Sequence, residues 1–284
     1  MEIELMNKAI LFSAISTIIL ANNAYAEGEQ HFHDADPRNS SWRGGIAASD
    51  SGEIKLATGG GFNNVFGNDT QTNMLLEYYT DSENFRFRDI HFDKRFGGVY
   101  LDIMHTEAVS DSYTAGYMLP LKGGDGTLWF PSVNYSYVDW DTSGLGGALQ
   151  NTCKSYAVGK SKELCDSLKS SGISGRKATE AFLGDDMAQM GTVSLYAVKP
   201  WNETHYTVIQ LNSGSSFDGV DMNVFNAMWL QGVRTKLGEN VLNIYFEFKY
   251  DVIEVEGENY NPVTESGDVK SEEAMASIGF DFRF

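Results

Sequence analysis

The chain has 284 residues, a formal net charge of -18 and a pI near 4.6, with 42% hydrophobic and 13% aromatic residues. That length allows one large domain or two small ones, and the charge excludes a nucleic-acid partner, because nothing here would neutralise a phosphate backbone. A mean hydropathy of -0.29 rules out a bundle of transmembrane helices, which need runs of about 20 apolar residues each.

The N-terminus reads as an address. From Met6, Lys8 supplies a positive n-region, Ala9 to Ala21 an apolar stretch too short to span a bilayer, and Ala24-Tyr25-Ala26 a small-x-small cleavage site. We expect residues 1–26 to be a signal peptide cleaved after Ala26, although the two acids in residues 1–5 are unusual ahead of an n-region. Residues 27–41 then form a short polar segment, too short for a passenger or a plug domain. His31, His33, Asp34 and Asp36 cluster in it, and imidazole with carboxylate can bind zinc or copper. Fixing a flexible tail on a metal costs entropy for every ligand. The segment is therefore read as a solvated polar tail, with no metal and no cofactor.

Beyond it, residues alternate with a period of two. Along 240–253, Leu242, Ile244, Phe246, Phe248, Tyr250 and Val252 oppose Asn243, Glu247, Lys249 and Asp251. Such stretches predict strands at 42–49, 53–61, 72–80, 84–93, 98–107, 112–122, 127–140, 189–200, 204–213, 222–237, 240–253 and 273–284. Twelve is the expectation, and ten if 42–61 forms none. With the C-terminus in the periplasm, the connections near residues 67–70, 96–97, 123–126, 202–203 and 238–239 fall on the periplasmic side. The two long ones, 141–188 and 254–272, fall outside, as outer-membrane barrels require.

The loop 141–188 is rich in Gly, Ser and Lys, with short helices expected at Ser155–Leu168 and Ala178–Gln189. It holds both cysteines, Cys153 and Cys165, and no histidine. In an oxidising exported setting that pair predicts a disulfide rather than a thiolate metal site. The loop 254–272 carries Glu254, Glu256, Glu258, Glu265, Asp268 and Glu272 against Lys270 alone.

The chain ends on an amphipathic stretch, with Ala276, Ile278, Phe280, Phe282 and Phe284 on one parity and Ser277, Gly279, Asp281 and Arg283 on the other. This resembles the C-terminal signature of bacterial outer-membrane β-barrels. The resemblance covers about ten residues and implies that Phe280, Phe282 and Phe284 form the signal read by the barrel assembly machinery. Trp129, Trp140 and Trp201 lie close to turns, where such a barrel carries aromatic girdles. The fold class expected is all-β: an antiparallel up-and-down transmembrane barrel over 42–284. A secreted β-sandwich is the competing architecture, since it alternates in the same way.

Inside a barrel the polar parity faces the lumen. The candidates there are Glu77, Arg86, Arg88, Asp102, Arg234, Glu247, Lys249, Asp251, Asp281 and Arg283, five acids and five bases, because a bare charge on the lipid face costs a few kcal/mol near the midplane. Two readings follow. The first is a small porin-like channel for passive diffusion of small hydrophilic solutes or ions, its near-neutral lumen leaving the acidic outer loop to set a mild cation preference. The second is a structural or adhesion-type barrel, like an autotransporter β-domain without its passenger, filled by salt-bridged side chains and non-conducting. An enzyme is not expected: the outer-membrane phospholipase pattern places Ser two residues after His, whereas His91, His105 and His205 are followed there by Asp93, Glu107 and Thr207. The partners implied are outer-membrane lipid and lipopolysaccharide, the assembly machinery, and small solutes or ions.

Overall fold

Alternation closes into a cylinder. The structure is a computed structural model and describes residues 33–93, 95–155, 160–238, 240–261 and 266–283. Twelve strands form the barrel: β1 Arg43–Ser49, β2 Ile54–Asn63, β3 Thr70–Tyr79, β4 Phe85–Asp93, β5 Gly97–Thr106, β6 Ser110–Met118, β7 Leu128–Trp140, β8 Met187–Pro200, β9 His205–Gly219, β10 Asp221–Leu237, β11 Asn240–Asn261 and β12 Ser266–Arg283. Each pairs antiparallel with its sequence neighbours, and β1 closes the circle on β12, with Arg43 opposite Arg283 and Ser49 opposite Ser277. All twelve expected strands are present, the two N-terminal ones included. Closure pairs every strand on both sides, which removes the exposed edges an open sheet would carry.

The turn chemistry explains one departure. Strand β6 ends at Met118, although the alternation predicted continuation to 122. Met118 pairs with Ser132, and beyond it the ladder meets Pro131, whose carbonyl accepts from Leu119 N–H at 3.0 Å but which has no N–H to return. The chain steps away there and resumes as a two-residue strand, Leu121–Lys122, against Leu128 and Trp129.

The chain enters β1 and leaves β12 at one end, where every connection is short, and the connections at 50–53, 80–84, 107–109 and 220 at the opposite end are short as well. The longer connection between β7 and β8 lies at that opposite end, as the parity required. The expected acidic loop 254–272 is corrected. Strands β11 and β12 run on through most of it, with Glu254 opposite Lys270 and Val255 opposite Val269. Only residues 262–265 of that stretch fall outside the description. Alternation simply continues past the predicted boundary, and the paired strands satisfy each other's backbone groups.

The connection between β7 and β8 contains α1 Thr142–Ser155, α2 Lys160–Ser171 and α3 Gly175–Leu183. The first helix was not expected, because Gly144, Gly146 and Gly147 lower its intrinsic propensity. Packing supplies the reason: a Cβ on Gly146 would lie 2.3 Å from the backbone nitrogen of Arg176, so only glycine lets α1 approach α3 this closely. Ser174 caps α3 by accepting from Lys177 N–H, and Gly184 ends it with φ +76°. Cys153 and Cys165 form the expected disulfide, which ties α1 to α2. Helix α3 tucks Leu183, flanked by Phe182, against Val138, Ala188, Met190, Val220, Met222 and Val255.

The outward parity is apolar and exposed, as at Val99, Val133, Val193 and Ile278. A soluble sandwich would not leave such a band bare. One position departs from it: register places Asp89 between Met74 and Leu101 on the outer face, and among the described residues its Oδ1 has no hydrogen-bond partner. Nothing in the structure explains it.

Candidate functional site

The site is the lumen, and it is built in tiers. At the terminal end, residues 33–41 do not trail into solvent. They fold into the barrel and touch strands around most of its circumference, which only an internal position allows. Arg234 Nε donates to the Asp34 carboxylate at 2.8 Å, Asn243 Nδ2 reaches the same oxygen at 3.4 Å, and Arg283 donates to the Asp34 carbonyl. Tyr196 donates to the Ala35 carbonyl at 2.8 Å, Asn73 to that of Pro37, and Gly61 N–H to that of Ser40 at 2.9 Å.

The segment is also folded on itself. The Arg38 guanidinium and backbone N–H bind the Asp36 carboxylate at 2.8–3.0 Å, and the same guanidinium lies 5.4 Å over the Phe130 ring. The His33 ring meets Tyr206 edge-on at 4.8 Å. Its Nδ1 accepts from Ala35 N–H at 3.2 Å, which requires the unprotonated nitrogen. Asp34 and Asp36 are buried. The expectation of a solvated tail is thus corrected: hydrogen bonds to distant strands outweigh the entropy of ordering it. The metal alternative fares no better. Both carboxylates are taken by arginines, no metal-binding group occurs among the described residues, and His31 lies outside them.

Halfway along the barrel the inward side chains join in a belt. Tyr100 and Arg86 both bind Asp102, Arg86 with Nη2 at 2.5 Å. Arg88 binds Glu77 at 2.6 Å, and Lys55 Nζ bridges Glu77 at 3.7 Å and Glu247 at 3.1 Å. Lys249 lies 3.3 Å from Glu247. The reach of Lys55 from β2 to β11 crosses β1 and β12 over the small side chains of Ala47 and Ser277, both buried. From there the belt turns neutral. Asn226 donates to Asp251 at 2.8 Å, Asn212 to Asn226 at 3.0 Å, Ser194 to Asn212 at 2.8 Å, and Asn134 to Ser194 at 2.9 Å. Thr114 and Ser136 share a bond of 2.7 Å on the next pair of strands.

All ten lumen candidates therefore lie on the inward parity. The structure joins Glu77, Arg86, Arg88, Asp102, Glu247, Lys249 and Asp251 in the belt. It sets Arg234, Asp281 and Arg283 at the terminal end, where Asp281 lies 3.4 Å from Arg283 and 3.8 Å from Arg43. Sequence reasoning missed Lys55 and Arg43, the asparagines of the neutral arc, and Asp34. The first two carry the inward parity of strands whose pattern was weak; Asn134, Asn212 and Asn226 carry it as uncharged residues. Asp34 stood out only as a member of the polar cluster at 31–36, and, being outside any strand, gave no sign of a place in the lumen. His205 is exposed at the terminal end, and Thr207 takes a bond from Trp201 and gives one to Gln231, so no His–Ser-like pair forms. Of the residues expected to form an assembly signal, Phe280 is exposed and Phe282 half-buried, both on the outer parity, and Phe284 lies outside the described residues.

No protein-family model and no curated protein matches the sequence. Among solved structures, the barrel is similar to the NanC porin, with a TM-score of 0.50 over 86% of this chain and 100% of that one at 9% identity. It is more loosely similar to the outer membrane channel DcaP of Acinetobacter baumannii, with a TM-score of 0.34 and 9% identity over 93% of this chain and 69% of that one. OccAB1 of the same organism gives a TM-score of 0.30 and 6% identity over 84% and 71%. The first likeness shows a shared fold, and the other two carry no argument. With its closed antiparallel wall, oily outside and polar inside, this chain has the twelve-strand β-barrel fold of an outer-membrane porin.

Proposed function

We propose that this barrel is a narrow channel of the Gram-negative outer membrane, through which small hydrophilic solutes or ions diffuse passively. The observation that carries the reading is the wetness of the lumen. Arg234, Arg43, Arg86 and Arg88 point inward, yet their side chains keep 39%, 32%, 25% and 22% of their surface open to solvent. A barrel packed solid with ion pairs would leave its guanidiniums dry. Along the belt, acids and bases alternate, so a permeating polar solute exchanges water for wall groups of either sign at little cost. No bond is made or broken in such passage, and no catalytic residue is assigned.

The structural barrel is the second reading, and one observation favours it: the internal segment and α3 each occupy part of the lumen. Purified protein in a planar bilayer separates the two. Stepwise conductance supports the channel, and silence across many insertions supports the structural barrel.

The same proposal includes export by residues 1–26 with cleavage after Ala26, which N-terminal sequencing of the mature protein tests. It also includes a rim in contact with lipid and lipopolysaccharide, and recognition of Phe280, Phe282 and Phe284 by the assembly machinery. Outer-membrane fractionation with heat-modifiable gel mobility tests the location. Recovery in a soluble fraction would sink it.

A further inference from the structure

Between the internal segment and the belt lies a cavity of about 140 Å³. A cavity of roughly 150 Å³ accommodates a benzene-sized molecule. Its wall mixes apolar side chains such as Leu75, Ile90 and Met118 with three cations, Arg43, Arg88 and Arg283, and Asp34 and Asp36 close it on the segment side. Arg283 is 95% buried, because only 5% of its side chain is exposed. Its Nη2 serves the Asp34 carbonyl, but its Nε, 3.4 Å from Asp281, makes no hydrogen bond among the described residues. Arg88 Nε likewise has none. Asn243 is fully buried at the same end, with its Nδ2 on Asp34 and its Oδ1 unpartnered.

We propose that this end of the lumen is a binding site for small carboxylates, and that the Asp34 side chain is its resident stand-in. The carboxylate of Asp34 sits where a solute carboxylate would, against Arg234 Nε and Asn243 Nδ2, with Arg283 beside it. A solute carboxylate competes for the same donors. When it wins, the Asp34 carboxylate leaves and the segment loses that ion pair but keeps the hydrogen bonds its carbonyls accept from Arg283, Tyr196, Asn73 and Gly61, so solute binding loosens the segment. Docking of the segment is an intramolecular reaction, so free carboxylate must overcome a high effective concentration of Asp34. The wild-type site is therefore weak, and removal of the tenant unmasks it. The proposal deepens the channel reading and depends on it only for the route a solute takes.

The test is acetate binding to the full-length folded barrel in detergent, followed by calorimetry and compared with acetamide at the same ionic strength. Asp34→Ala should bind acetate about tenfold more tightly than wild type, because the missing carboxylate is what acetate replaces. Arg234→Gln added to Asp34→Ala should abolish the gain, and acetamide should show none. Equal acetate binding by wild type and Asp34→Ala would overturn the proposal, as would a gain that survives Arg234→Gln or one that acetamide matches. Should Asp34→Ala fail to fold, a nitroxide on Ser41→Cys reads the same event in the otherwise native chain. Acetate should increase its mobility more than chloride at the same ionic strength, and equal responses to the two anions up to molar concentration overturn the idea. Silence in a bilayer with acetate binding intact would sink the channel and leave the site. Conductance without acetate binding would do the reverse.

Discussion

The two ends of the lumen are occupied by different chemistry. At the terminal end, residues 33–41 are held by an ion pair and by hydrogen bonds from Arg234, Arg283, Tyr196 and Asn73. At the loop end, α3 is held by apolar contact through Leu183 and Phe182, on a scaffold tied by Cys153–Cys165. Arg234 keeps 39% of its side chain open to water although Asp34 is buried, so their pair is screened by salt, and His33 in the same segment makes this end respond to pH. Apolar burial is indifferent to both. The first end is built to let go, and the second to stay.

The largest effect should come from the belt between them. Lys55→Met leaves Glu77 and Glu247 buried with one cation fewer, and stripping one partner from a buried ionic network costs about 3 kcal/mol. The midpoint of heat-modifiable mobility should fall, with both ends loosening together. An unchanged midpoint would show that Arg88 and Lys249 carry the belt alone. Next comes the loop end. Leu183→Ala removes a buried side chain at a cost of about 2–4 kcal/mol to helix docking, so proteolysis within 141–186 should accelerate equally at low and high salt. Salt-dependent cleavage would contradict the apolar account.

The terminal end should instead respond to pH. Burial pushes the His33 imidazole below its ordinary value of 6.5, helped by Arg234 and Arg283, while Asp34 and Asp36 pull it back up. The docked segment therefore binds fewer protons than the free one. Its docking is at full strength above pH 6.5 and weakens as pH falls through that value. Protonation also turns Nδ1 from acceptor to donor against Ala35 N–H. A nitroxide on Ser41→Cys should gain mobility between pH 7.5 and 5.5, and His33→Gln should flatten that response. A pH response that survives His33→Gln would assign it to another group.

The smallest effect is expected from the acidic strand ends. Changing Glu254, Glu256 and Glu272 together to Gln should shift the reversal potential across a salt gradient only slightly towards anions, and not at all near 1 M salt, where the screening length is about 3 Å. Lys270 already lies opposite Glu254 and 2.5 Å from Glu272, which blunts the patch. A large shift would return the control of ion sign to this region.

By itself the sequence determined the wall. Alternation is a local property of a chain whose two faces meet different solvents, so the twelve strands, their parity, the inward charges and the disulfide could all be read without a partner in view. It did not reveal the tenant of the lumen. Nothing near His33-Asp34-Ala35-Asp36 says that Arg234, Asn243 and Arg283, some two hundred residues away, will converge on one carboxylate. The continuation of β11 and β12 past residue 253 was hidden for the same reason: a charged stretch such as Glu254–Glu256 reads as loop until a second strand is there to take its backbone bonds. Lys55 was legible by parity, but not its span across two strands onto Glu247, which required Ala47 and Ser277 to be small. Closure of the barrel decided these matters, because it brings together groups whose pairing energy depends on geometry that no local pattern encodes.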